Sequence, residues 1–207
     1  MVIGLSNKIK MRIRISLLII IFIYIFAPSA LAQTTTSIDT DNDGLNDELE
    51  TRVYHTNPQN PDTDNDGYND GEEVKYLYDP NKSFDDKLQK SIKVNLANQE
   101  LAYYLGPYLI KNFKISSGRK PGSTPKGEFE ILVKKPFVTY KGSNYYYPNT
   151  RWNMMFKKTS WGNLYIHGAY WHNKFGQPVS RGCVNVPYSE MEEFYNWTDV
   201  GTKVTIE

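Results

Sequence analysis

Residues 39–50 read DTDNDGLNDELE and recur 23 positions later as DTDNDGYNDGEE over 62–73. This tandem acidic loop limits what the chain can fold into more than any other feature. Each copy fits the pattern D-x-D-x-D-G-x-x-D-x-x-E, which turns alternate side-chain oxygens toward one point. Calcium takes six to eight hard oxygen ligands, so the first loop offers Asp39, Asp41, Asp43, Asp47, Glu50 and the carbonyl of Leu45. The second offers Asp62, Asp64, Asp66, Asp70, Glu73 and the carbonyl of Tyr68. Gly44 and Gly67 stand where the loop turns sharply and needs a positive φ. Without a cation, five carboxylates in one loop repel one another and the segment is expected to lose its order.

An EF-hand would need a helix before each loop. Thr34–Ile38 is too short and too β-branched for one, and Asn57-Pro58 and Asn60-Pro61 interrupt any long helix between the copies. The stretch TNPQNPDTDNDGYNDGEEV resembles the thrombospondin type 3-like calcium repeats of bacterial secreted proteins. The resemblance spans about residues 38–79 and implies a calcium-rigidified spacer, with Ca2+ in a structural role.

Charge divides the rest. Lys8, Lys10, Arg12 and Arg14 precede the apolar run ISLLIIIFIYIF at 15–26, and Ala30-Leu31-Ala32 follows. A basic start, a short apolar run and small residues at −3 and −1 predict a secretory signal over 1–32, cleaved after Ala32. The run is short for a membrane span, so the membrane enters only if the signal stays uncleaved as an anchor. Residues 33–79 hold 13 acids against Arg52 and Lys75, whereas 80–207 hold 18 basic residues against 10 acidic ones. Three units follow: the signal, a repeat module over 33–82 and a basic domain over 88–207. A basic exported domain suits an anionic wall polymer; no nucleic-acid motif is present.

Sixteen Tyr, 14 Gly and 11 Pro favour strands and turns over a helical bundle. Ile92–Leu96, Glu100–Leu105 and Leu109–Ser116 read as strands, with a turn at Asn98. The loop SGRKPGSTPK (117–126) separates them from Gly127–Lys134, a further strand with Phe129, Ile131 and Val133 on one face. Tyr145–Trp152 reads as an aromatic loop over a groove, and Leu164–His167 as a short strand. Ser189 is the expected N-cap of a helix through Trp197, carrying Met191, Phe194 and Tyr195, and Val200–Glu207 closes as a strand. The domain is therefore mainly β with one short helix.

Its decisive segment is YIHGAYWHNKFGQPVSRGCVNVP at 165–187, which holds Cys183, the single cysteine of the chain. A lone thiol outside the cell is paired with another chain, inert or reactive. Its neighbours favour reactivity. Gly182 permits close approach to a substrate, Ser180 and Asn185 orient polar groups, and Arg181 favours a thiolate. His167 can take the thiol proton or supply one to a leaving amine.

The pairs His167-Gly168 and Ser180-Arg181-Gly182-Cys183-Val184-Asn185 resemble the L,D-transpeptidase (YkuD-type) catalytic domain over about residue 90 to the end. The upstream segment SGRKPGSTPKGEFEI is similar as well. The resemblance implies a β-sandwich or barrel, a Cys183 nucleophile, no catalytic cofactor, and peptidoglycan stem peptides as substrates. Carbapenem-type β-lactams are the implied inhibitors. Cys183 would attack the carbonyl of the third stem residue and release D-Ala, and an amine of a neighbouring stem would then complete a 3→3-type crosslink. Backbone N–H groups around Gly182 and Cys183 would hold the oxyanion. Arg181, Asn185 and Tyr165 are candidate orienters, and Trp152, Phe156 and Trp171 candidate groove walls. The family usually carries His where this chain has Arg181, which cannot serve as a base near neutral pH. His172 is expected to have a loop or substrate-contact role.

With water as acceptor, the same site would be an L,D-carboxypeptidase. A calcium-dependent wall-binding protein without catalysis is the non-enzymatic alternative. Papain-like enzymes place Cys before His, and sortase-like enzymes need an Arg after the Cys; neither order occurs here.

Overall fold

Alternating apolar residues along short runs give nine strands, arranged as two sheets in the computed structural model, which describes residues 37–83, 87–160 and 162–207. The expected signal lies outside the described residues. Residues 37–207 form one compact unit.

The first sheet starts with β1 (Lys90–Asn95), β2 (Glu100–Leu105) and β3 (Tyr108–Lys114) as consecutive antiparallel strands. Asn95 Oδ1 accepts from the Asn98 N–H at 2.8 Å and closes the expected first turn. The C-terminal strand β9 (Lys203–Ile206) returns parallel to β1 and pairs on its other side with β4 (Gly127–Glu130), so the order is β3-β2-β1-β9-β4. The second sheet, β5-β6-β7-β8, contains β5 (Val133–Gly142), β6 (Tyr145–Thr159), β7 (Gly162–Gly168) and β8 (Val184–Val186). The segment 145–152, read above as a loop, is strand. It pairs with β5, and left-handed Asn149 and Trp152 interrupt the alternation that would have marked it.

Inward residues of both sheets meet in one core: Ile92, Val94, Leu101 and Val204 from the first, Met154, Phe156, Leu164, Ile166 and Val184 from the second. Each fully buried aliphatic or aromatic side chain contributes about 1.5–3 kcal/mol. The helix Tyr188–Trp197 adds Met191 and Phe194 to this core. It starts after Pro187, whose fixed φ suits a helix entrance, so Ser189 falls inside the first turn and is not the cap. Phe156 (2 % exposed) and half-buried Trp152 pack with this core, so neither forms a groove wall.

The acidic repeats keep the same local plan twice. Gly44 (φ 97°) and Gly67 (φ 99°) occupy the left-handed positions expected of them. A short helix follows each loop: Asp47–Leu49, continued by a wider turn over Glu50–Tyr54, and Asp70–Tyr76. The module is more than a spacer, because it packs onto the edge of the first sheet. Leu45 and Tyr54 share a buried cluster with Leu105 of β2, flanked by Tyr108 and Ile110 of β3. Asn81 Nδ2 donates to the Tyr54 carbonyl (2.9 Å) and to Tyr108 Oη (3.1 Å), and the Tyr108 hydroxyl donates to buried Asp79.

Candidate active site

Strands β7 and β8 run parallel, with Ile166 opposite Val184 and His167 opposite Asn185. The loop between them carries the chain out and back, so Cys183 arrives one step before β8, beside the strand that bears His167. Both residues line one cavity of about 390 Å³, with Tyr140, Tyr145, Tyr147, Trp171, His172, Ser180, Arg181 and Asn185 among its walls.

His167 is 2 % exposed. Its Nδ1 lies 2.9 Å from the Gly168 carbonyl, an acceptor, so Nδ1 carries the proton and Nε2 is left as the basic nitrogen. Tyr140 stacks on the imidazole at 4.7 Å and donates its hydroxyl to Asn153 Oδ1 at 2.8 Å. Burial pushes His167 down to about 4, against the opposing pull of the Gly168 carbonyl. Cys183 is half-buried, and burial pushes its thiol up to about 11, although the Tyr165 backbone N–H favours the thiolate. The expectation that basic neighbours depress this thiol is therefore corrected. Loss of solvation dominates, and the Arg181 guanidinium lies over the Tyr145 ring at 3.9 Å. At neutral pH the cavity holds a neutral thiol and a neutral imidazole. Such a pair can attack a carbonyl with the proton passing from sulfur to Nε2 as the new bond forms.

The turn before Cys183 is tied from several sides. Ser180 Oγ donates to the Cys183 carbonyl (2.5 Å) and accepts from the Gly182 N–H (3.0 Å). That use removes the Gly182 N–H from the expected oxyanion donors; the Cys183 N–H stays a candidate. Thr124 Oγ1 donates to the Gly182 carbonyl at 2.8 Å. Gly182 has φ 148°, and a Cβ there would lie 2.7 Å from the Ser123 carbonyl oxygen, so its closeness is to backbone and not to substrate. Gly182→Ala is expected to cost roughly 1–3 kcal/mol and to lower the melting temperature by several degrees, measured by calorimetry; an unchanged melting temperature contradicts this packing.

Other expected residues separate by position. Asn185 is buried; its backbone exchanges two 2.9 Å hydrogen bonds with Ser116, and its amide lies 2.9 Å from His172 Nε2. Gly168 faces away from the cavity, where a Cβ would meet the Tyr188 ring at 2.3 Å. The Tyr165 ring is buried against Tyr140, so its contribution at the site is its N–H. Trp171 is a wall, stacked on Tyr147 at 4.0 Å. Arg119, Tyr140, Tyr147 and Lys174 also line the cavity, and the sequence reading did not single them out. Arg119 stood inside the flagged loop 117–126, Tyr147 inside the aromatic segment 145–152 and Lys174 inside the segment 165–187; Tyr140 carried no local signal.

In the acidic module, Asp39, Asp41 and Asp43 bring carboxylate oxygens within 4.8 Å of one another, as do Asp62, Asp64 and Asp66. Asp41 Oδ2, Glu50 Oε2, Asp64 Oδ2 and Glu73 Oε2 are buried with no hydrogen-bond partner. Burial pushes Glu50 up to about 7 and Glu73 up to about 8, helped by the neighbouring aspartates. Buried carboxylate oxygens without donors fit a hard cation well. Both oxygens of Asp47 accept from Thr40, at 2.8 and 2.7 Å, and both of Asp70 from Thr63, at 2.8 and 2.6 Å, so these carboxylates also close their loops. The backbones of Leu45 and Tyr68 are held by N–H donation to Asp43 (2.7 Å) and Asp66 (2.9 Å).

Two sheets with a His-Gly strand end, and a Ser-x-Gly-Cys turn on the parallel strand beside it, define the L,D-transpeptidase class. Residues 89–206 match the family model described as the L,D-transpeptidase catalytic domain (YkuD), and the chain belongs to that family. Residues 39–61 and 62–83 match the bacterial TSP3 repeat, a repeat of calcium-binding type. A Bacillus licheniformis protein bearing the L,D-transpeptidase YkuD name is 28 % identical over 121 residues, covering 58 % of this chain and 67 % of that one. A crystal structure of a cysteine-to-serine mutant of the Enterococcus faecium L,D-transpeptidase is 30 % identical, with TM-score 0.51, covering 57 % of this chain and 50 % of that one. The structure of the Ldtfm-avibactam carbamoyl enzyme is 31 % identical, with TM-score 0.51, covering 57 % and 49 %. The chain thus spans about half the length of these solved structures.

Proposed function

We propose that this chain is an exported peptidoglycan L,D-transpeptidase in which Cys183 carries the acyl group and His167 handles the proton. One observation supports it above all: the imidazole on β7 and the thiol one residue before the parallel strand β8 line the same cavity. The Cys183 sulfur attacks the carbonyl of the third residue of a stem tetrapeptide, its proton moves to His167 Nε2, and that proton leaves with the amine of D-Ala. An amine of a neighbouring stem then attacks the thioester, giving a 3→3-type crosslink. The Cys183 N–H, on a turn held by Ser180 and Thr124, is the chain's own candidate donor to the oxyanion. Carbapenem-type β-lactams acylate the same thiol; the avibactam adduct of a relative supports a site open to strained acylating agents. Arg181 acts as a cation at the cavity wall, not as a base. Export rests on the residue pattern of 1–32.

Calcium fills the two acidic loops. Asp39, Asp41, Asp43 and Glu50 hold one ion, and Asp62, Asp64, Asp66 and Glu73 the other, with the carbonyls of Leu45 and Tyr68 as further oxygens. The ions have a structural role, and catalysis needs no cofactor.

The test is product analysis by mass spectrometry on a defined tetrapeptide, with and without an acceptor stem. Released D-Ala plus a crosslinked dimer is the expected result. Released D-Ala with tripeptide alone assigns the site to an L,D-carboxypeptidase. Wall binding without D-Ala release assigns the chain to the non-enzymatic class.

The neutral pair has its own signature. Alkylation of Cys183 by iodoacetamide is expected to climb with pH toward a midpoint near 11. A plateau reached by pH 7 would mean a preformed thiolate. The same shifts affect stability at both extremes. His167 is neutral in the fold, so its contribution is present above 6.5 and lost as pH falls toward 4. The thiol's contribution is present below 9 and lost as pH rises toward 11.

A further inference from the structure

Side chains alternate along β8. Val184 and Val186 enter the core, and Asn185 between them lines the cavity with Cys183, two residues before it. Asn185 also lies opposite His167 in the register of β7 and β8. Its backbone is locked by the two 2.9 Å hydrogen bonds with Ser116, so the freedom left to its amide is which end faces the cavity. One terminal atom of that amide meets His172 Nε2 at 2.9 Å, and the other has no hydrogen-bond partner among the described residues.

His172 decides which atom is which. Its Nδ1 accepts from the Lys174 backbone N–H at 3.2 Å, so Nδ1 carries no proton. Partial burial, and then the Lys174 ammonium, hold His172 below its ordinary value, so the ring is neutral at pH 7. A neutral imidazole with a bare Nδ1 has its proton on Nε2. The Asn185 atom facing that N–H is therefore the carbonyl Oδ1, because an amide nitrogen there would set donor against donor. Asn185 Nδ2 is left toward the cavity.

From this arrangement we propose that His172 is a positioning residue: through Nε2–H it fixes the Asn185 amide so that Nδ2 donates to a carbonyl oxygen of the acyl donor beside Cys183. The inference rests on the acyl-transfer reading of this cavity and adds to it one donor and the group that aims it. The two cavity histidines then hold opposite tautomers and separate tasks. His167 keeps its proton on Nδ1 and leaves Nε2 to receive another. His172 keeps its proton on Nε2 and exchanges none. Contacts with the Trp171 ring at 6.2 Å and the Phe175 ring at 5.0 Å hold its imidazole in place. A donor aimed before the substrate enters costs no reorganisation during the reaction.

The first test is nitrogen-15 NMR of the full chain labelled at its three histidines, the His172 signals being those lost in His172→Gln. The Nε2–H tautomer is expected for His172 and the Nδ1–H tautomer for His167; an Nδ1–H His172 overturns the proposal. The second is D-Ala release from a stem tetrapeptide. His172→Phe keeps a ring and removes the donor, and should lower kcat/KM about tenfold. His172→Gln, whose amide still donates, should recover most of that loss. Asn185→Leu should lose at least as much as His172→Phe, and the two together little more than Asn185→Leu alone, because both act through one amide. No loss in His172→Phe, no recovery in His172→Gln, or losses that multiply in the double variant overturn it. Calorimetric binding of the tetrapeptide to Cys183→Ala separates this from the reaction. If no D-Ala is released, yet His172→Phe weakens binding about tenfold and His172→Gln restores it, the acyl-transfer reading falls and the positioning stands. Release that is indifferent to His172→Phe does the reverse, and a peptide that neither binds nor reacts overturns both.

Discussion

Cys183→Ala is expected to abolish D-Ala release, with a loss of at least about a thousandfold, while the fold and wall binding persist. The size follows from the proposed role of the sulfur as the group that holds the acyl chain covalently, since loss of a nucleophile in comparable acyl-transfer sites costs several orders of magnitude. Cys183 is half-buried beside the core, so truncation to Ala removes few contacts and the melting temperature should move by little. His167→Ala should also reduce acylation strongly. Its ring is buried and stacked on Tyr140, so part of that loss will appear as stability. Comparing D-Ala release with thermal melting separates the two effects. Turnover retained in Cys183→Ala would remove the thioester from the account.

Calcium removal is the second large effect. At a hundredfold excess over its Kd, each bound ion stabilises the folded chain by about 2.7 kcal/mol. For a chain of this size that corresponds to roughly 5–10 °C in melting temperature per site. The shift is expected in the transition of the whole 37–207 body, because the module and the first sheet share the Leu45, Tyr54 and Leu105 cluster and the Tyr108–Asp79 contact. Glu50→Gln and Glu73→Gln should remove most of the calcium response, since each takes away a carboxylate whose outer oxygen is buried without a donor. Differential scanning calorimetry with calcium and with chelator checks this. A melting temperature indifferent to calcium contradicts the ion sites; a separate calcium-sensitive transition beside an unmoved main one contradicts the docking.

Much of this molecule was legible in the residues. The strand Glu100–Leu105 appears with the expected bounds and buries every second side chain. The acidic repeat and the His-Gly and Ser-x-Gly-Cys segments are local patterns, and the family models match the same regions. What escaped was tertiary. Tyr140 and Lys174 reach the cavity from β5 and from the loop after β7, and no spacing in the chain announces that they meet. The thiol was misjudged because its neighbours in sequence are polar and basic, whereas its neighbours in space withdraw water. Asp47 and Asp70 fit the loop pattern, but no spacing announces that Thr40 and Thr63 donate to their carboxylates. Docking of the repeats on β3 likewise depends on Tyr54, Asn81 and Tyr108, residues 27 positions apart at each step.

The most direct test is intact-mass and peptide-level spectrometry of the chain quenched within its first turnovers on a stem tetrapeptide. The account requires a transient adduct equal to the tetrapeptide less D-Ala, located on the peptide that contains Cys183. Turnover with an unmodified sulfur, or an acyl group found on any other side chain, would contradict it.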